Sequence, residues 1–421
     1  MEEMEKDTRT KVRLYTGSYN APVLTGDGSI YLGNGKGIQC FLFDEKTGEL
    51  EEKASYADVK NASWLTFSAD GRMLYAVNEL DDYEGTKGGA LSSFAVKENG
   101  ELRFMNTLPV MGAAPCHVNC DGSGRHVYTA NYNGGNASSF MTGEDGSLAY
   151  MDGQIVHAAQ EQPRPGMNPI RQEKPHVHSS AVNGQWLWIT DLGTDEVTVY
   201  RLDAEGGIRD RDKEGRPKAA AMLRLPAGRG PRSLAFGKET TEGGVVYVSC
   251  ELSNQIAIIK WQKSGGEEEE AIVLAASDLI CSLPSEEKEA LSTEERKDGG
   301  RAHGEEKEEK ENLVGGILLS PDGRYLYVGN RGKNSIGIFK VEENGLLKGI
   351  GQVSSHGLNP RGFQISPSGN WMIVANQDSD NLIVFSIDPD TGLLKKERTY
   401  WAGAVVCLQF ADTAETYLLT C

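Results

Sequence analysis

The chain has 421 residues, 38% of them hydrophobic, and a formal net charge of −18 at neutral pH. No stretch approaches the roughly 18 consecutive apolar residues of a membrane span, and so acidic a chain without a basic patch is not expected to bind nucleic acid. Seven cysteines, an odd number without CxxC spacing, argue against a disulfide framework or a structural zinc site.

The opening MEEMEKDTRTK lacks an apolar signal core, so the expected compartment is the cytoplasm. Residues 11–51 (RLYTGSY, then GIQCFLFDEKTGELE) read as one unit of strands that lacks its first strand. Beyond them one unit recurs: a short apolar run, a Gly-containing turn, a strand ending in Asn or its equivalent, a second turn, and a strand in which apolar and polar residues alternate. Its landmark falls at Asn78, Asn131, Asp191, Cys250, Asn330 and Asn376, in steps of 53, 60, 59, 80 and 46 residues. Blades of about 40 to 50 residues with insertions have this spacing. Alternation of period two with Gly, Asn and Asp at the turns marks antiparallel strands and leaves little room for helix.

The step of 80 contains an acidic stretch, with sixteen acids against six bases between Ser264 and Asn312. Within it, 271–284 (AIVLAASDLICSLP) reads as the outer strand of blade five. Residues 285–311 read as an acidic, disordered insertion between blades five and six. At the far end 404–411 (AVVCLQFA) reads as a first strand without a blade. Joined to 11–51 it closes a ring and leaves no open sheet edge. The expected fold is all-β, a single seven-bladed propeller over residues 1–421.

In an antiparallel hairpin the start of the first strand lies beside the end of the second, so these places in every blade share one rim. First strands begin with Pro115-Cys116-His117, Pro175-His176-Val177-His178, Pro231-Arg232 and Pro360-Arg361. Second strands end with Asn78-Glu79, Asn131-Tyr132, Asp191, Cys250-Glu251, Asn330-Arg331 and Asn376-Gln377. A loop over 163–175 delivers Arg171, Gln172 and Glu173 to the same mouth. Several cations, imidazoles and carboxylates on one rim can bind a small anion and supply a proton acceptor beside it. His176 and His178, two apart and so on one strand face, read as metal ligands, as a base with its partner, or as core polar residues. No convincing third ligand accompanies them, so no metal is expected. Arg232 and Arg361, each after a Pro in the same register, suit a phosphate or carboxylate. There is no GxSxG elbow, HExxH, Walker loop or dinucleotide fingerprint, and no cofactor is expected.

The chain resembles the lactonase family of seven-bladed propellers, which includes propeller-type 6-phosphogluconolactonases and carboxy-cis,cis-muconate lactonising enzymes. The resemblance runs nearly end to end. It rests most firmly on Arg171-Gln172-Glu173 leading to HVHS, and on Asn359-Pro360-Arg361 leading to ANQDSDN. It implies lactone hydrolysis at the channel mouth without an obligatory cofactor, with His178, Arg232, Glu251, Arg331 and Arg361 near the reaction. In one place the sequence departs from the family pattern: an acid and a basic residue are replaced by Gly316 and Leu318 in the inner strand of blade six.

The expected activity is hydrolysis of an anionic sugar lactone, 6-phosphoglucono-1,5-lactone first. His178 is the expected base, Glu251 orients or replaces it, and Arg232 and Arg361 hold the phosphate or the oxyanion. Arg171, His117, His176, Arg331, Asp191 and Glu173 are the expected further substrate contacts. The alternatives are action on another carboxylated or sugar lactone, and a non-enzymatic binding propeller of the YVTN type, which SPDGRYLYVGNRGKNSI also resembles.

Overall fold

The structure, a computed structural model, describes residues 11–157, 168–264, 271–284 and 311–411. The expectations for the start of the chain, for 163–167 of the long loop and for the insertion up to 310 lie outside the described residues.

Among the described residues, seven four-stranded antiparallel sheets form the expected ring, and the other elements are a small two-stranded hairpin and a single 3-10 turn, Gln377–Ser379. Blade one is built from both chain ends: Val405–Ala411 is its inner strand and pairs with Lys11–Ser18, followed by Ile38–Asp44 and Glu49–Tyr56. Blades two to seven have inner strands Ala62–Phe67, Pro115–Cys120, Val177–Asn183, Pro231–Thr240, Leu313–Leu319 and Pro360–Ile365. Ala271–Cys281 is the outer strand of blade five.

Second strands such as Met73–Asn78, His126–Asn131 and Trp186–Asp191 are buried along their whole length. Each is covered on both faces by neighbouring blades, and for that reason these strands read as continuous apolar runs rather than as alternation. Between blades four and five, Trp188 meets Trp261 and Phe236 edge-on at 6.2 and 5.8 Å.

A polar latch repeats between blades. Tyr15, Tyr75, Tyr247 and Tyr327, each on a second strand, donate their hydroxyls to the carbonyls of Gly100, Gly146, Gly345 and Gly392 at 2.6 to 2.9 Å. Tyr128 does the same to Gly206. Each of these glycines turns the outer hairpin of the next blade with φ between 71° and 87°. Only glycine takes that conformation freely, so the repeated NG, DG and TG turns serve the packing between blades as well as the hairpins.

Candidate active site

Every inner strand carries an irregularity at the same level, near its start, where the inner strand has one residue more than its partner. The residues at these bulges are Val406 in blade one, Ser63 in two, Cys116 in three, His178 in four, Arg232 in five, Gly315 and Gly316 in six, and Arg361 in seven. A β-bulge re-aims the side chain it carries, and here seven of them form one ring. A second ring lies just above, formed by the residue after the landmark that ends each second strand: Tyr19, Glu79, Tyr132, Leu192, Glu251, Arg331 and Gln377. In six blades its backbone N–H donates, at 2.8 to 3.1 Å, to the carbonyl just ahead of the inner strand. That preceding residue has positive φ in five blades, including the non-glycine residues Asn61 (45°), Ala114 (50°), Asn359 (61°) and Ala404 (43°), a strained arrangement of the kind found at functional sites.

Glu251 is the centre of the two rings. It is 1% exposed. Arg171 Nη2 donates to its Oε1 at 2.7 Å, Arg331 Nη2 lies 2.8 Å from Oε2, and Arg232 Nε lies 3.0 Å from the same oxygen. The last contact is close enough for an ion pair but is not aligned as a hydrogen bond. Burial alone would raise the Glu251 pKa, but the charges of Arg331, Arg171 and Arg232 hold it well below the usual 4.5. Glu251 is therefore a fixed anion that organises three guanidiniums, and the expectation that it could replace His178 as base does not fit this geometry.

Two tyrosines flank the centre. Arg171 donates from Nε to the Tyr132 hydroxyl at 2.8 Å and lies over its ring. Arg361 donates from Nη2 to the Tyr19 hydroxyl at 2.7 Å and lies over that ring, and Tyr19 donates in turn to Glu79 at 2.9 Å. Burial raises the pKa of both tyrosines, so each stays a neutral phenol. Arg232, buried and beside Arg331, falls to about 10 and remains charged at neutral pH.

His178 is buried, with Nδ1 3.9 Å from the Cys116 thiol. Burial, then the charge of Arg232, pushes its pKa well below 6.5, so the imidazole is neutral. Its ring meets Tyr132 edge-on at 5.5 Å, whereas His176 is stacked on Tyr132 at 4.4 Å. The two histidines therefore do not act as a pair. The bulge at His178 breaks the period-two spacing from which a common face was expected, and His176, also buried, is held between the Tyr132 carbonyl and Glu173. The Glu173 side chain is 45% exposed and lies 3.0 Å from His176 Nε2. Among the described residues no group of three or more His, Cys, Asp and Glu side chains is arranged to hold a metal ion.

Asp191 is placed elsewhere than expected. It is fully buried, and its carboxylate accepts from the backbone N–H of His176, Gly193 and Thr194 and faces His157 Nδ1 at 2.7 Å. With its acceptors used in holding that turn, it has none left for a substrate. His117 stands one step down the inner strand and lines the central channel, a cavity of about 290 Å³, with Gly316 and Arg361. Burial and Arg232 lower its pKa to about 3. Its Nδ1 accepts from Ser180 N–H at 3.4 Å and its ring lies against Trp64.

The structure thus brings together Arg171, His178, Arg232, Glu251, Arg331 and Arg361, and adds Tyr19, Glu79 and Tyr132. For Glu79 and Tyr132 the signal was present in the sequence, since each follows the landmark residue of its blade.

A closed seven-bladed propeller with guanidiniums, a carboxylate and an imidazole gathered at one mouth defines a class of protein with its site at the end of the ring. The chain belongs to the lactonase family of seven-bladed β-propellers, whose model matches residues 13–410. It is similar to the 6-phosphogluconolactonase of Bacillus subtilis, at 28% identity over 371 residues, 87% of this chain and 92% of that one. A 6-phosphogluconolactonase of Formosa agariphila is 28% identical over 368 residues, 86% of this chain and 91% of that one. The periplasmic gluconolactonase of Pseudomonas aeruginosa superposes with a TM-score of 0.73 at 29% identity, covering 96% of this chain and 99% of that one. No helix among the described residues is long and apolar enough to cross a membrane.

Proposed function

We propose that this protein hydrolyses 6-phosphoglucono-1,5-lactone to 6-phosphogluconate in the oxidative pentose phosphate route of the cytoplasm. Charge balance at the mouth carries the reading. Four guanidiniums, of Arg171, Arg232, Arg331 and Arg361, meet two carboxylates, Glu251 and Glu79, beside an uncharged imidazole. The formal excess of two positive charges suits a dianionic phosphate monoester. The names of the bacillary and Formosa relatives support the same substrate.

A lactone is an activated ester, so a positioned base and water suffice. Water adds to the C1 carbonyl while its proton passes to the neutral His178. The oxyanion that forms is stabilised by the guanidinium of Arg232 or Arg361. The bond from C1 to the ring oxygen then breaks, and that oxygen leaves as the C5 hydroxyl, taking the proton back from the imidazolium. No cofactor, nucleic acid or membrane has a part in this reaction.

The test is the rate of loss of freshly prepared 6-phosphogluconolactone beside gluconolactone, with and without chelator. Acceleration well above the spontaneous rate, with preference for the phosphorylated lactone, is expected. No acceleration by folded protein overturns the reading, and equal or better use of the plain lactone moves the substrate toward that of the Pseudomonas relative.

A further inference from the structure

The mouth has a roof. After Ser18 the chain leaves blade one and forms a hairpin, Pro22–Leu24 against Ile30–Leu32, before returning at Ile38. One face of the hairpin is seated: Val23 and Tyr31 pack with Tyr19, Ala404 and Val406, and the Tyr31 hydroxyl donates to the Gln377 carbonyl at 3.2 Å. The flanks are tied as well. Asn61 bonds Ala21 N–H at 3.0 Å on one side, and Asn34 donates to Asp380 at 2.7 Å on the other.

The tip reaches Arg171, which comes from the segment before blade four, across the ring from blade one. A Cβ added at Gly26 would lie 2.6 Å from Arg171 Nε, 2.8 Å from Cζ and 2.9 Å from Nη2. Gly26 is not among the positive-φ glycines, so its backbone would accept a side chain and the obstacle is the guanidinium itself. Hairpin and segment thus meet at the guanidinium that pairs with Glu251, in a centre where Glu251 is 1% and Arg232 3% exposed.

We infer that the hairpin over residues 22–32 is a size-selecting roof on this site, and that Gly26 is the positioning residue that lets it close on Arg171. The ligand admitted is a compact anion, a single sugar acid or sugar phosphate, and not an oligosaccharide phosphate. The anionic class rests on the function proposed above, but the size selection is read from the roof alone.

Titration calorimetry with 6-phosphogluconate and with trehalose 6-phosphate, a disaccharide phosphate, tests this without turnover. The wild-type protein should bind the smaller ligand about a hundredfold more tightly. Replacing residues 22–32 by a Gly-Ser-Gly link should bring the two affinities within about threefold. Gly26→Leu, at the half-buried tip, should lower the melting temperature by loosening the Arg171–Glu251 pair and weaken 6-phosphogluconate about tenfold by displacing Arg171. An unchanged preference in both variants overturns the inference, as does a wild-type protein that binds neither ligand. Absent lactone turnover with a size preference that the variants relax would remove the proposed reaction and leave the roof standing. Turnover with an unrelaxed preference would do the reverse.

Discussion

Arg361 lies over the ring of Tyr19, its Cζ 5.2 Å from the centroid, and donates from Nη2 to the phenol oxygen at 2.7 Å. The same hydroxyl donates to Glu79, so one oxygen fixes a cation and an anion that stand 3.9 Å apart. Tyr19→Phe keeps the ring and removes only that link. A hydrogen bond to a charged group contributes about 1.5 to 3 kcal/mol to stability, so the variant should melt at a lower temperature and, with Arg361 no longer held, bind 6-phosphogluconate less tightly. Unaltered affinity in a folded variant would show that Arg361 needs no such support.

Glu251→Gln tests the centre of the site. The substitution leaves Arg171, Arg232 and Arg331 facing a neutral amide in a place closed to water. Removing one partner of a buried ion pair costs about 3 to 5 kcal/mol, so the variant should unfold at clearly lower denaturant concentration and lose turnover. If it were as stable as the wild type but inactive, Glu251 would be a reacting group and not the organiser the contacts indicate.

The ring was legible in the sequence because its punctuation repeats. A glycine in each outer turn and an Asn or its equivalent at the end of each second strand are local needs of the backbone, and they recur wherever a blade does. The bulges were not legible. One extra residue in an inner strand leaves no mark in an apolar pattern, yet it separates His178 from His176 and aligns His178 with Arg232 and Arg361. Asp191 misled for a related reason: its position matches the landmark asparagines, and it does the structural work of its register by holding a turn. Tyr19 stayed hidden because blade one is divided between the chain ends. That Glu251 gathers three arginines from different parts of the chain follows only from the closed ring.

The pH dependence of turnover tests His178. Burial and Arg232 put its pKa well below 6.5, so the basic form persists as pH falls through neutrality. If His178 accepts the proton from water, kcat/KM should be flat from about pH 8 to about pH 6 and decline only in more acid solution. An acid limb centred near 6.5 that survives in His178→Asn would assign the base to another group.

His126 and Asp152 give a second pH test, on stability. His126 Nε2 lies 3.1 Å from Asp152 Oδ2, and its Nδ1 meets the Glu205 carbonyl of blade four at 2.8 Å. Burial alone would lower the His126 pKa, but the Asp152 carboxylate, with Glu205, takes it above 6.5. Burial likewise opposes the shift of Asp152, whose bonds to His126 and Ser139 bring it below 3.8. A raised histidine stabilises the fold fully below its unfolded pKa, and loses that contribution as pH rises through the folded one; a lowered carboxylate stabilises above its unfolded pKa, and loses its contribution as pH falls through the folded one. The pair should therefore contribute most between about pH 4.5 and 6. The gap in melting temperature between the wild type and Asp152→Asn should be widest there and narrow toward pH 8. A gap of constant width across that range would mean that the contact is uncharged and acts by packing alone.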